Sequence, residues 1–351
     1  MRSDQEREAI KDYYSRVIHT SNDLATGACC CNETMVPLVR DAAALLHPEI
    51  AASAYGCASP IPDAIEGCTV LDLGCGTGFD TYICSRLVGP SGRVIGLDMT
   101  PAQLEVAQRH LSEQMERFGY TEPNIDFRQG FIEELDAAKI PDASIDVVIS
   151  NCVINLSPDK QRVFSEIFRV LKPGGELCFS DVFADRRLPQ ALREDPILLG
   201  ECLAGALYVE DLRRMMNTCG VADVRTIARS KTRIGNDTIE KRVRPARFIS
   251  LTLRAFKLDS LEDRCEDFGQ VAWYRGTIPG ATYTYRLDNH HEFIKDKPLL
   301  VCGNTAAMLS ETRLAPHFRV EGTRETHYGL FPCDSLATEP AQEERTSSSC
   351  C

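Results

Sequence analysis

The chain has 351 residues and a net charge of −12 at pH 7, with 43% hydrophobic and 26% charged residues. That length accommodates two or three domains with ample core, and the acidic balance excludes a general nucleic-acid binder. No apolar run approaches the ~20 residues of a membrane span, so no membrane partner is expected.

The opening stretch, MRSDQEREAIKDYYSRV, is charged from its second residue. It lacks the apolar stretch of a secretory signal and points to a cytoplasmic protein. Sixteen cysteines are the departure from ordinary composition. In a reducing compartment such a set is more often metal-binding or catalytic than a disulfide framework. Three are consecutive, Cys29 to Cys31, and two end the chain, Cys350 and Cys351.

Residues 4–18 and 34–46 read as helices, separated by the polar break HTSNDLATGACCCNET. A strand–helix alternation follows. CTVLDLG reads as strand one, and GFDTYICSRLV as a helix ended by GPSG. RVIGLD is strand two, and PAQLEVAQRHLSEQMERFG one long helix with Pro at its first turn and Gly at its end. IDFRQG, SIDVVIS and ELCFSDVF are strands three to five, with the helix PDKQRVFSEIFRVLKPGG before the last. Short connections in a βαβαβ order predict a parallel-rich sheet with helices on both faces. After Asp185 the pattern loosens. Residues 186–218 read as helical, broken near Gly200. Between Arg225 and Arg254 basic residues outnumber acidic ones nine to two, the composition of a solvated strand-rich edge or of an attractor for anions. Residues from about 255 to 335 alternate short strands and turns around one helix, NTAAMLSETRL, and read as a small α+β appendage. The polar tail ATEPAQEERTSSSCC is expected to be disordered. It carries no prenylation box, because Ser348 stands where the cysteine would be.

LDLGCGTG puts Asp72, Gly74, Gly76 and Gly78 at a strand-to-helix turn. The spacing is GxGxG, not the GxGxxG of dinucleotide folds, and no Lys-Ser/Thr follows for a triphosphate. Strand two ends in Asp98, twenty residues after Gly78 and next to Met99. A carboxylate there can accept hydrogen bonds from two ribose hydroxyls. GFIEEL, after strand three, puts Ile132 and Glu133 at the edge of an adenine site. Asn151 ends strand four. The glycines let the backbone approach a ligand whose charged end is an amino acid, with Asp72 as partner of its ammonium. This is the pattern of class I S-adenosylmethionine (SAM) methyltransferases; an NAD-type fold and a cofactor-free scaffold stay open.

A methyltransferase needs a nucleophile held in line with the methyl group. No His or Lys base stands out around the crevice, but Cys57, Cys152 and Cys202 all fall in loops at the carboxyl edge of the predicted sheet. A lone cysteine is most often a small buried hydrophobe, which fits Cys68, Cys84, Cys178 and Cys219, with Cys75 as filler in the glycine turn. Three converging thiolates instead suit a soft, thiophilic centre. Zinc prefers a fourth ligand, and no CxxC pair is present. Trivalent arsenic takes three sulfurs and keeps a lone pair that needs no base.

DLATGACCC, AYGC, DLGCGTG, GLDMT, SNCVINLSPDKQ, LKPGGELCFSD and GECLAGALY closely resemble the arsenite SAM methyltransferases, from about Asp23 to Tyr208 and more weakly beyond. The resemblance implies a class I methyltransferase (Rossmann-like) α/β fold with a small α+β C-terminal domain. It implies catalytic roles for Cys29, Cys57, Cys152 and Cys202, arsenic(III) held by Cys57, Cys152 and Cys202, and Tyr55 as a SAM contact. Cys30 or Cys31 can stand in for Cys29. It also implies arsenite and its glutathione conjugates as substrates, and glutathione or thioredoxin as thiol reductant. The expected division is residues 1–60 as an N-terminal helical segment with the first cysteines, 61–235 as the SAM domain with arsenic-binding helices inserted near 186–218, 236–335 as the C-terminal domain and 336–351 as the tail. A monomer is expected. Methyl transfer to a small organic metabolite, and metalloid sequestration without methylation, are the rival functions.

Overall fold

The computed structural model describes residues 7, 10, 26, 35–52, 56 and 58–332. The cysteine run 29–31, Tyr55, Cys57, the tail and all but two positions of the helix expected at 4–18 lie outside the described residues.

Two short helices, α1 (Pro37–Ala43) and α2 (Pro48–Ala52), precede the sheet. Then follow β1 (Thr69–Leu73), α3 (Phe79–Val88), β2 (Arg93–Asp98), α4 (Pro101–Arg109), α5 (Leu111–Phe118), β3 (Ile125–Gln129), β4 (Ile145–Asn151), α6 (Lys160–Val170) and β5 (Leu171–Ala184). The strand order β3-β2-β1-β4-β5 is parallel throughout. Apolar residues run almost unbroken through β1 and β4, as strands covered on both faces require. One apolar cluster, around Phe164, Phe168 and Phe179, lies on one side. Another, around Tyr82, Ile83 and Met115, lies on the other and includes Val39 and Ile50 of α1 and α2.

The single helix expected over 101–118 is two. The backbone leaves helical geometry at His110 (φ −93°, ψ 0°). Its ring stacks on His47 at 3.8 Å, and its Nε2 bonds Glu49 Oε2 at 2.6 Å. These contacts with the α1–α2 region outweigh the local helical preference.

Beyond Ala184 come α7 (Gln190–Arg193), α8 (Pro196–Gly200), β6 (Leu207–Tyr208), α9 (Val209–Thr218), β7 (Arg225–Lys231), α10 (Asp237–Val243) and β8 (Phe248–Phe256). The break expected near Gly200 is where α8 ends. β8 runs antiparallel to β5 from Glu176↔Phe256 to Ala184↔Phe248, and β7 closes the sheet as its edge. The large sheet therefore continues to Phe256, past the boundary expected at 235. β8 is buried almost residue for residue, so it needs strands on both sides. The basic stretch is accordingly a strand-rich edge. Its first and last members, Arg225 and Arg254, are buried in ion pairs with Asp223 and Asp288 and with Glu176.

The appendage holds β9 (Glu266–Asp267), β10 (Gln270–Tyr274), β11 (Thr284–Arg286), β12 (Glu292–Ile294), β13 (Pro298–Val301), α11 (Gly303–Ser310), β14 (Phe318–Glu321) and β15 (Gly329–Leu330). Its core is the aromatic group Tyr274, Tyr285, Phe293 and Phe318. It is fastened to the sheet through Glu176, which pairs with Arg254 at 2.7 Å and with Arg313 at 2.5 Å. Arg313 also donates to the carbonyls of Asp63 and Ala64. All three charges are buried, and stranding one of them costs about 3–5 kcal/mol.

Candidate active site

Strand order reverses between β1 and β4, so the crevice beyond their carboxyl ends is the ligand site of this topology. A cavity opens there. Its wall includes Asp72, Gly74, Gly76, Asp98 and Met99 from the ends of β1 and β2, Ile132 and Glu133 after β3, and Asn151 and Cys152 at the end of β4. Gly78 is not on this wall; it precedes α3 at φ +90°. Tyr55 and Cys57 lie outside the described residues. Arg7 and Ile10, which carry no motif, reach the cavity from the N-terminal segment.

Gly74 must be glycine: its φ is +72°, and a Cβ there would lie 2.4 Å from the Val153 side chain. Asp98 accepts the Gly76 N–H at 2.9 Å and the Thr100 N–H at 2.8 Å, which ties the glycine turn to the end of β2. Asp72 accepts the Thr81 hydroxyl at 2.6 Å, and Asp80 accepts the Asn151 amide at 3.0 Å. Both carboxyls are buried, and burial pushes both pKa values up, Asp72 to about 8 and Asp80 to about 6. The charges of Asp80 and Asp98 add to the rise at Asp72. Glu133, expected near an adenine, accepts the Ser157 hydroxyl at 2.6 Å and faces the Arg7 guanidinium at 3.6 Å. It links the loops after β3 and β4 to the N-terminal segment.

The Cys202 thiol donates to the carbonyl oxygen of Cys152 at 3.0 Å, although fifty residues separate them. Both residues have left-handed backbones, φ +57° and +60°, and they are two of six such non-glycine residues among those described. That conformation is uncommon for side-chain-bearing residues and collects at functional sites. Cys152 is disulfide-bonded. Cys75, Cys84 and Cys178 differ: burial drives their thiols well above the usual pKa and keeps them as neutral packing groups.

Several supporting residues escape a reading of the sequence. Asn155, fully buried, donates from its amide to Asp181 Oδ1 and to the Val182 carbonyl, both at 2.6 Å, and to the Cys202 carbonyl at 3.5 Å. Gly205 passes so close that a Cβ would sit 1.8 Å from the Asn155 carbonyl oxygen, so no side chain fits. Lys160 is half-buried at the start of α6 and donates to the Ser157 carbonyl at 2.8 Å. Burial lowers its pKa to about 8, against the pull of Asp181; Cys202 and Glu133 are within electrostatic reach. Asn155 stands inside NCVINLS, but nothing local signals a partner 26 residues away.

A glycine turn, paired buried carboxyls and an aspartate closing β2 at the switch point of a 3-2-1-4-5 sheet are the marks of a class I SAM-dependent methyltransferase. Residues 65–220 match the methyltransferase-domain family, and residues 269–351 match the arsenite methyltransferase C-terminal domain family. The chain belongs to the arsenite methyltransferases. It is 48% identical to the arsenite methyltransferase of Aquipseudomonas alcaligenes, over 92% of this chain and 93% of that one. It is 39% identical to that of Homo sapiens, over 96% and 89%. The crystal structure of an arsenic(III) SAM methyltransferase from Chlamydomonas reinhardtii superposes with a TM-score of 0.82 at 52% identity, covering 85% of this chain and 100% of that one. The arsenite methyltransferase C-terminal match extends through the tail to Cys351.

With the cofactor's ammonium placed on the acidic pair, SAM binding is expected to depend on pH. A ligand ammonium favours ionised carboxylates, so the complex holds fewer protons than the free protein wherever Asp72 is still protonated. SAM affinity is expected to rise from pH 6 to about 8 and then level off. Titration calorimetry at pH 7 in two buffers of different ionisation enthalpy should register proton release. No release would mean that both carboxyls are already ionised. In folding, the sign is opposite: the folded protein holds these protons more tightly than the unfolded chain, so the pair costs stability as pH rises toward 8.

Proposed function

We propose that this enzyme methylates trivalent arsenic, with arsenite and methylarsenite as substrates. The observation that carries the reading is the hydrogen bond from Cys202 Sγ to the carbonyl of Cys152, a residue on the wall of the cavity. In this reading both thiolates hold arsenic there. SAM supplies a methyl group on a sulfonium, which the arsenic lone pair takes in an SN2 step that leaves S-adenosylhomocysteine. The Asp72–Asp80 pair holds the cofactor's ammonium, Asp98 its ribose hydroxyls, and Ile132 flanks its base. Asn155 and Gly205 keep the Cys202 loop in register, and Lys160 supplies a buried positive charge toward the thiolates. No general base is needed, because arsenic attacks through a lone pair rather than after loss of a proton.

Cys57 is the third ligand for arsenite. A Cβ on Gly56 would lie 2.3 Å from the Asn151 side chain, so the two are in contact. The Cα of Cys57 is one peptide, about 3.8 Å, from that of Gly56. Methylated arsenic is formally pentavalent. Two thiols, Cys29 with Cys57, return two electrons to it and close a disulfide, which glutathione or thioredoxin reopens. The oxidised state of Cys152 supports a requirement for such a reductant before arsenic enters. Delivery as glutathione conjugates, a cytoplasmic setting and a monomeric enzyme belong to the same reading, as does an N-terminal thiol-bearing segment distinct from the SAM domain. No described helix is long and apolar enough to cross a membrane.

The test is to incubate pure protein with SAM, arsenite and glutathione and to identify arsenic species by chromatography with elemental detection. Methylarsenic and S-adenosylhomocysteine are expected in step. Methylation of an organic acceptor with no response to arsenite would overturn the reading.

A further inference from the structure

Among the described residues, three metal-ligating side chains converge away from the cofactor cavity: His47, Glu49 and His110. One donor atom of each lies within 4.8 Å of the others, and none of the three lines the cavity. His47 stands between α1 and α2, Glu49 is the second residue of α2, and His110 is the break between α4 and α5. The cluster thus sits where the helices that precede the sheet dock on the helices beside β2 and β3.

Its donors are held in place. The fully buried Gln114 side chain accepts the His47 N–H at 2.9 Å and donates to the Leu45 carbonyl at 3.0 Å, which fixes the backbone that carries His47. The two imidazoles stack at 3.8 Å, 19° from parallel. Glu49 Oε2 meets His110 Nε2 at 2.6 Å, while Arg109 holds its other oxygen at 3.3 Å. His47 Nδ1 accepts the Glu49 N–H at 3.2 Å, so a lone pair faces α2, and His47 Nε2 faces the Glu113 carboxylate at 3.9 Å. An imidazole that binds a metal characteristically turns its other nitrogen toward a carboxylate. The Glu49 side chain is 43% exposed, which leaves an entry path. Two imidazoles and one carboxylate, with solvent in the fourth position, are a set for zinc-like ions; calcium and magnesium take oxygen ligands.

We propose that His47, Glu49 and His110 bind one divalent ion of the zinc class, which clamps α1 and α2 to the α4–α5 break. Rotation of the His47 and Glu49 side chains, both partly exposed, closes the set to bonds of about 2.0–2.2 Å. The clamp bears on the cofactor site through the chain: α2 ends at Ala52, four residues before Gly56, where a Cβ would meet the Asn151 side chain on the cavity wall. The ion is neither substrate nor methyl acceptor, so the proposal is independent of what the enzyme methylates.

The test titrates Zn(II) into the reduced full-length protein against a chromophoric chelator, for the parent and for Glu49→Gln, His47→Gln and His110→Gln. The thiols are the same in every variant, so a difference between variant and parent reads the cluster alone. One binding step in the parent is expected to weaken at least about 10–100-fold in each variant, since a lost ligand costs no less than a lost outer partner. Zinc should raise the melting temperature of the parent more than that of any variant. Co(II) at that step should give ligand-field bands without thiolate charge transfer, and Mg(II) should have no effect. If His110→Gln does not fold, Glu49→Gln, a change at a partly exposed carboxylate, decides the matter. Equal zinc affinities and equal melting shifts in the parent and Glu49→Gln, or a thiolate spectrum for the affected step, would overturn the site.

Discussion

Replacing Cys152 or Cys202 by serine is expected to abolish methylation of arsenite and methylarsenite alike. Methylarsenite has two exchangeable positions, because its methyl group permanently occupies the third, and both are assigned to this pair. Serine is close enough in shape to preserve the local fold. In Cys202→Ser its hydroxyl still meets the Cys152 carbonyl now bonded by the thiol. Chemically it is a hard, protonated oxygen and no substitute for a soft thiolate. Arsenic that is no longer held in line loses on the order of 100-fold or more in rate. Cys219→Ser is the control: that thiol is half-buried, follows α9 and is bonded by Gln161 at 3.2 Å. It should keep activity. The measurement is initial rate on each arsenical with excess reductant. Near-normal turnover of methylarsenite by either serine variant would remove that cysteine from the site.

The second large effect is at Asp98. Asp98→Ala is expected to weaken SAM binding at least ~100-fold while arsenite binding stays nearly intact. Two charge-assisted hydrogen bonds to a ribose are worth roughly 1.5–3 kcal/mol each, and 1.4 kcal/mol is tenfold in affinity. The variant also frees the Gly76 and Thr100 amides that the carboxylate now holds, so the glycine turn loses its tie to β2. Both losses act in the same direction. The two cysteines lie beyond β4, whereas Asp98 closes β2. Calorimetric titration with SAM, and separately with arsenite on the reduced protein, gives the two affinities. SAM affinity within a factor of two of the parent would take Asp98 out of the cofactor site.

Much of this molecule is legible in one dimension. The parallel core follows from apolar runs punctuated by Gly and Pro, and the glycine turn announces itself because the backbone must turn and approach a ligand there. The identities of the sulfur residues are also visible, since soft chemistry leaves few residue types to choose from. Less legible are features made by contact. The single helix expected over 101–118 breaks at His110 because a carboxylate and a second imidazole hold that ring. The sheet runs on to Phe256 because β8 fits between β5 and β7, and a nonapeptide with two-sided burial cannot be told from an appendage strand by its pattern alone. Asp80 pairs with Asn151, and Glu201 with Thr26, across distances no local signal spans.

The sequence by itself determined the class of chemistry: a methyl donor pocket, recognisable from glycine and aspartate spacing, and thiols at the ends of predicted strands. Spacing of that kind is set by the covalent geometry of a strand-to-turn junction, so it survives in the linear text. Which cysteines come together was decided only in three dimensions: the Cys202 thiol meets the Cys152 carbonyl. Cys152 and Cys202 come together because β6 pairs with the end of β5, Phe183 with Leu207 and Ala184 with Tyr208, and draws the preceding loop back over β4. Asn155 and Gly205 then lock that loop at a separation no larger side chain would permit. Pairing register and close packing are properties of two segments at once, and neither segment carries them alone.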